Sequence, residues 1–157
     1  MSASQRDMHD RVGIGILARD TADALRKVRE ADDAGIHQAW MTIGGAGAVD
    51  PLTFYAAATL QTDNIRLGTS IIPIFPRHPM VLAQQTLAIH DLAPGRFRLG
   101  IGPSHRQIIE GAYGLKMQAP LSYLKEYISV LRSALWEGKV DYHGKFLVLF
   151  NHRLMML

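Results

Sequence analysis

Four short apolar runs, rich in β-branched residues, open near residues 12, 37, 66 and 97, and each is followed by a stretch with helical periodicity. Their spacing of about 25 to 31 residues constrains the fold more than anything else in the chain. A strand that pairs in parallel with its neighbour cannot return through a tight turn. It needs a crossover of a dozen residues or more, usually a helix. The recurrence therefore predicts an α/β fold built on a parallel sheet. What repeats is the pattern, with no visible repeat of sequence.

The first run, Val12–Leu17, reads as a buried strand. Asp20 or Thr21 can cap the helix after it, where Leu25, Val28 and Ala31 form an apolar stripe and Gly35 suits the C-terminal turn. His37–Ile43 is the second strand, Gly44–Gly47 a loop, and Asp50-Pro51 the start of a helix that runs to about Leu60. Arg66–Ile72 and Phe97–Ile101 are the third and fourth strands, with a helix over Pro79–Leu92 between them. Beyond Ser104 the pattern changes. A short helix is expected over Arg106–Tyr113, then a loop over Gly114–Pro120. A longer helix covers Leu121–Trp136, with Leu124, Ile128, Leu131 and Leu135 on its buried stripe. Lys139–Phe150 reads as a hairpin turning at His143-Gly144, and Asn151–Leu157 carries no structural signal.

The 157 residues predict a single domain, 1–157, with residues 1–11 as a flexible N-terminal tail. Net charge is only +3 and the basic residues are scattered, which does not suggest a nucleic-acid partner. With no cysteine, the chain has neither a disulfide framework nor a thiolate metal site or cysteine nucleophile. The N-terminus lacks the apolar core of a signal peptide, and no apolar run reaches membrane-spanning length, so a cytoplasmic protein with no membrane partner is expected. The seven histidines show neither HxH nor HxxxH spacing, so no metal site is expected.

In parallel α/β folds, ligand chemistry gathers at the C-terminal tips of the strands. The tip of the fourth strand, Gly100-Ile101-Gly102-Pro103-Ser104-His105, lacks the third glycine of a dinucleotide fingerprint. Its glycines allow close approach of a ligand to backbone. Ser104 could contact that ligand or simply cap the next helix. His105 is the best titratable candidate for proton transfer, with a surface or capping role as the alternative. Thr42, at the tip of the second strand, could hydrogen-bond a ligand or satisfy local backbone. Arg77-His78 is either solvated loop charge or a cation that faces a ligand. Gly44–Gly47 is not a phosphate loop, since no GK[ST] follows.

Three segments carry a more specific signal: LGTSIIPIFPRHPMVLAQQ at the third strand and helix, LAPGRFRLGIGPSH at the fourth strand, and LWEGKVDYHGKF near residue 140. In this order and spacing the chain, over roughly Val12–Phe150, resembles the bacterial luciferase-like monooxygenases, a family of flavin- and deazaflavin-dependent oxidoreductases. The resemblance implies an eight-stranded (β/α) TIM barrel, which needs about 250 residues. The chain is therefore expected to be a partial barrel, four βα units plus a hairpin, matching the N-terminal half of a family member. The match fades over the last seven residues, so a premature end or an altered reading frame is expected there.

The resemblance also implies the chemistry: hydride transfer between a reduced cofactor, FMN or the deazaflavin coenzyme F-420, and a small organic substrate or oxygen. Ser70-Ile71 falls where the family carries a bulge, often a non-proline cis peptide, beneath the cofactor's central ring; the residues alone would equally read as an ordinary strand end before Pro73. Thr42, Thr69, Ser70, Ile71, Gly102 and Ser104 are the expected cofactor contacts, and His105 the candidate catalytic residue. The acid–base histidine that deazaflavin-using relatives often carry at the second strand tip is absent, because Thr42-Ile43-Gly44 stands there. Homodimerisation through helices 51–60 and 79–92 is implied as well, in keeping with apolar residues on nearly every face of the second helix; packing against neighbouring helices would explain the same pattern. The competing expectation is a non-catalytic, dimerising half-barrel or cofactor-binding module, since the outer strands of a half-barrel leave edges to be covered.

Overall fold

The computed structural model describes residues 12–42 and 48–154. The expected tail 1–11, Ile43, the glycine loop Gly44–Gly47 and the last three residues lie outside them. The chain divides into two compact units, Met1–Ile72 with Ile89–Gly100, and Pro73–Ala88 with Ile101–Leu157.

The first unit holds a parallel four-stranded sheet in the order β1 (Ile14–Gly15), β2 (Gln38–Met41), β3 (Arg66–Thr69), β5 (Phe97–Arg98). Its first two helices begin where local chemistry dictates. In α1 (Thr21–Asp33) the Asp20 side chain caps the first turn by accepting from Asp23 N at 2.8 Å. In α2 (Pro51–Thr59) the Asp50 carboxylate accepts from both the backbone N–H and the hydroxyl of Thr53, and Pro51 fills the position where a missing N–H costs nothing. Gly35 takes φ +74° after α1, as the reversal there requires. The Asp32 carboxylate then accepts from the backbone N–H groups of Asp63, Asn64 and Ile65, tying the end of α1 to the entrance of β3.

The two faces of this sheet differ. Ala39 and Leu67 are fully buried on one face, and Phe97 stands edge-on to Tyr55 of α2 with ring centroids 5.8 Å apart. Burying a side chain the size of Leu67 or Phe54 contributes roughly 1.5–3 kcal/mol. The other face presents Gly15, Trp40, Gly68 and Arg98 in register across the four strands. The Trp40 ring lies across Gly68 and Gly13, in the space that side chains at those positions would occupy. Arg98 is exposed.

The third and fourth strands were expected to be continuous, and each is broken in two. β3 ends at Thr69 and β4 (Ile72–Pro73) follows; β5 ends at Arg98 and β6 (Ile101–Gly102) follows, pairing with β4. The ladder changes partner at the break. Ser70 N still donates to Met41 O, whereas Ile72 N donates to Gly100 O.

In the second unit Ile74 N continues the ladder to Gly102 O at 3.0 Å. The helix α3 (Pro79–Leu92), which runs through both units, opens with His78, whose Nδ1 accepts from Met80 N and whose carbonyl accepts from Leu82 N. The short helix expected after Ser104 is a π-helical turn, Gln107–Ala112. The longer one is α4 (Pro120–Arg132), which starts one residue early and widens into a second π-helical turn at Ser133–Glu137. Its buried stripe is only partly the one expected, since Leu131 is buried but Leu124 and Leu135 are half-buried. Tyr127, Val130, Leu131 and Ala134 are buried, whereas Ile128 is 39% exposed. The aromatic rings decide the rotation: Tyr123 stacks on Phe75 at 4.8 Å, meets Phe146 edge-on at 5.9 Å, and the Tyr127 hydroxyl donates to Arg77 O.

The hairpin is present as β7 (Lys139–His143) and β8 (Val148–Arg153), with a register shift between Val140 and Tyr142. Its turn is longer than the two residues expected. Gly144–Leu147 form it, closed by Gly144 N donating to Leu147 O, and the Glu126 carboxylate of α4 accepts the backbone N–H groups of Lys145, Phe146 and Leu147. The strand also continues through Asn151–Arg153, where the sequence had shown no signal. No helix among the described residues is long and apolar enough to cross a membrane.

Candidate functional site

The expected contacts in the first unit converge at the C-terminal tips of β2 and β3. Thr42 is exposed immediately after β2, and Met41, directly before it, is in register with Thr69. Thr69 is buried; its hydroxyl accepts from Gly100 N at 2.8 Å and lies 2.9 Å from Gly100 O, to which it donates. One side chain thereby pins both backbone groups of Gly100. Ser70 is exposed, Ile71 is half-buried, and the peptide between them is cis, the geometry the resemblance implied for this position.

Gly100 has a different function from the one its sequence context suggested. The close approach that its missing side chain permits is by the Thr69 carbonyl, which a methyl group there would overlap. Sequence reasoning also missed Tyr55. Its buried hydroxyl donates to Gly68 O at 2.6 Å, and burial pushes its pKa well above the usual phenol value. That bond fixes α2 on β3 one residue before Thr69. Nothing in the local sequence of α2 marks the tyrosine, because its partner is thirteen residues away on another element.

In the second unit Gly102 is buried at the end of β6. Ser104 adopts φ +63° and is half-buried, and no side chain caps the π-helical turn that follows, so the expected Ser104 cap is not formed. The positive φ turns the chain so that His105 O, instead, receives the N–H groups of Ile108 and Ile109. The His105 side chain is exposed. His78 is engaged as the opening of α3, and the Arg77 carbonyl by Tyr127. Among the described residues no three metal-ligating side chains gather.

The sequence model of the luciferase-like monooxygenases matches residues 3–156. The chain belongs to the luciferase-like monooxygenase family. The family match extends to residue 156, into the last seven residues, where the likeness had been expected to fade. This luciferase-like chain is 31% identical over 151 residues to an F420-dependent glucose-6-phosphate dehydrogenase of Nocardia farcinica, covering 92% of itself and 43% of that protein. Among solved structures it resembles a monooxygenase, RslO1, from Streptomyces bottropensis, with a TM-score of 0.76 at 25% identity over 92% of this chain and 48% of that one. The oxygenating constituent of a Pseudomonas putida diketocamphane monooxygenase, solved with FMN, shares the fold at TM-score 0.79 and 19% identity, over 91% of this chain and 44% of that one. The chain thus spans less than half the length of these relatives, and its fold is that of a partial luciferase-like TIM barrel.

Proposed function

We propose that this chain forms the ring-binding part of a flavin- or deazaflavin-dependent oxidoreductase, with FMN or coenzyme F-420 resting at the tips of β2 and β3. When bound, that cofactor supplies hydride chemistry toward a small organic substrate or oxygen. The observation that carries the reading is the tip itself. A break in β3 leaves the Ser70–Ile71 backbone at the surface, held from below by the Thr69–Gly100 bonds and flanked by the exposed hydroxyls of Thr42 and Ser70. Such hydroxyls suit the polar edge of a tricyclic ring, and the half-buried Ile71 suits its apolar face. Gly102, Ser104 and His105 keep the roles the resemblance implies for them, the first two as cofactor contacts and His105 as the candidate catalytic residue. The family membership and the F420-dependent and FMN-bound relatives support the same reading.

Titrating the purified chain with FMN and with coenzyme F-420, followed by absorbance and fluorescence quenching, tests it. Saturable binding of one of them is expected. Thr69→Val removes two hydrogen bonds worth roughly 0.5–1.5 kcal/mol each and should weaken that binding about tenfold, which corresponds to ~1.4 kcal/mol. Absence of binding to either cofactor would overturn the reading.

The reading includes a cytoplasmic location, which cell fractionation would check, and a homodimer formed through helices 51–60 and 79–92. Exposed apolar side chains on or beside those helices support the dimer: Leu60 at 70%, Val81 at 45% and Leu92 at 44%. Val81→Glu should convert the dimer to monomers in sedimentation experiments while leaving the circular dichroism spectrum unchanged. A monomeric wild-type chain would refute the contact.

A further inference from the structure

Helix α4 buries Tyr127, Val130 and Leu131, and its flanks are engaged as well: Glu126 holds the hairpin turn and the Tyr127 hydroxyl the Arg77 carbonyl. The remaining face carries a second apolar row. Leu121 is 78% exposed, Ile128 39% and Trp136 72%. Leu121 and Ile128 are seven residues apart, Ile128 and Trp136 eight. The extra residue falls in the π-helical turn Ser133–Glu137, which takes up one residue more per turn than an α-helix. The eight-residue step therefore covers about the same rotation as the seven-residue step, and the three side chains stand in one row at the two-turn spacing of a helix–helix seam. The row is roughly 20 Å long.

Lys125 and Arg132 follow Leu121 and Ile128 by four residues each, are exposed, and flank the row along its length. The Arg132 guanidinium lies 5.8 Å from the centre of the Trp136 ring, a contact that orders both side chains in advance. Between Leu121 and Trp136 the sequence has one carboxylate, Glu126, and the hairpin turn occupies it. We propose that this face is a docking seam for an acidic amphipathic helix of another protein, whose apolar residues pack along Leu121, Ile128 and Trp136 and whose carboxylates pair with Lys125 and Arg132. Charge and width select this occupant. A second copy of the seam would set cations against cations in either direction, a juxtaposition that costs affinity. A bilayer surface takes up a broad apolar face of about 100° or more, whereas this row is one side chain wide. A helix laid along it meets the apolar row and the flanking cations together. The inference does not rest on the cofactor reading above.

Fluorescence anisotropy with two labelled synthetic peptides, each of about three heptads, tests it. Both carry leucine along the seam; one has glutamate at the flanking positions, the other lysine. The acidic peptide should bind the unmodified chain saturably, about tenfold or more tighter than the basic one. Salt should weaken that binding, because exposed charge pairs are screened. Lys125→Glu with Arg132→Glu should exchange the preference, and Trp136→Ser should weaken the acidic peptide about tenfold. Circular dichroism checks that each variant folds. Should the double glutamate variant fail to fold, Lys125→Gln with Arg132→Gln should abolish the discrimination between the peptides. Equal binding of both peptides, no binding of the acidic one, or a preference unchanged in the charge variants would overturn the proposal. So would self-association of the unmodified chain that Trp136→Ser abolishes, or tighter binding to phosphatidylglycerol vesicles than to the acidic peptide.

Discussion

Replacing Gly100 with alanine should destabilise the chain by about 1–3 kcal/mol, the range typical of overpacking a tight site, and abolish cofactor binding in the same step. The added methyl would overlap the Thr69 carbonyl oxygen, a backbone atom that cannot rotate aside. Relief requires β3 and the segment leading into β6 to separate, and that breaks both bonds from the Thr69 hydroxyl to Gly100. The same movement displaces Ser70 and Ile71, the proposed ring support. Gly15→Ala is the control, because an added methyl there meets nothing within 4 Å; it should stay within about 0.5 kcal/mol of wild type. Chemical denaturation of both variants and a cofactor titration of each would measure the contrast. If Gly100→Ala were as stable as Gly15→Ala, the Thr69–Gly100 contact would not be what holds the strand tips together.

This contrast also shows where the sequence was informative. Strand and helix order followed from periodicity and from local caps. Asp20, Asp50-Pro51 and Gly35 each announce an element boundary through a bond or a φ value within a few residues. The break after Thr69 has no such local marker. It depends on Ser70 and Ile72 donating to Met41 and Gly100, partners about thirty residues away in the chain. The family resemblance, not the periodicity, pointed to Ser70-Ile71. The α4 stripe was misassigned for a related reason: leucine and isoleucine spacing marks a helix face, but Tyr123 and Tyr127 bury more area than Ile128, and their ring partners Phe75 and Phe146 lie on other segments. The hairpin turn was misplaced because the group that shapes it, the Glu126 carboxylate, belongs to α4. The row of Trp40, Gly68 and Arg98 was legible only once the register of β2, β3 and β5 put them side by side.

Glu126→Gln should lower the thermal midpoint at neutral pH and loosen the hairpin Lys139–Arg153, and the deficit should vanish in acid. Burial by itself raises the Glu126 carboxyl, but the backbone N–H groups of Phe146, Lys145 and Leu147 outweigh it, and the pKa falls below its ordinary 4.5. A carboxyl whose folded pKa is depressed stabilises the fold fully above its unfolded value, and that contribution is lost as pH drops through the folded one. The gap between wild type and Glu126→Gln should therefore be constant above about 4.5 and close below it. Both chains then carry a neutral side chain at 126 against the same three donors. A second reporter is Tyr123, whose hydroxyl pKa is raised first by burial and further by the Glu126 charge. Removing that charge should bring the Tyr123 transition down in an ultraviolet pH titration, an effect that a packing defect alone would not produce. A stability gap that persists unchanged into acid would mean that the turn is held by packing of Phe146 and Leu147, with the carboxylate a bystander.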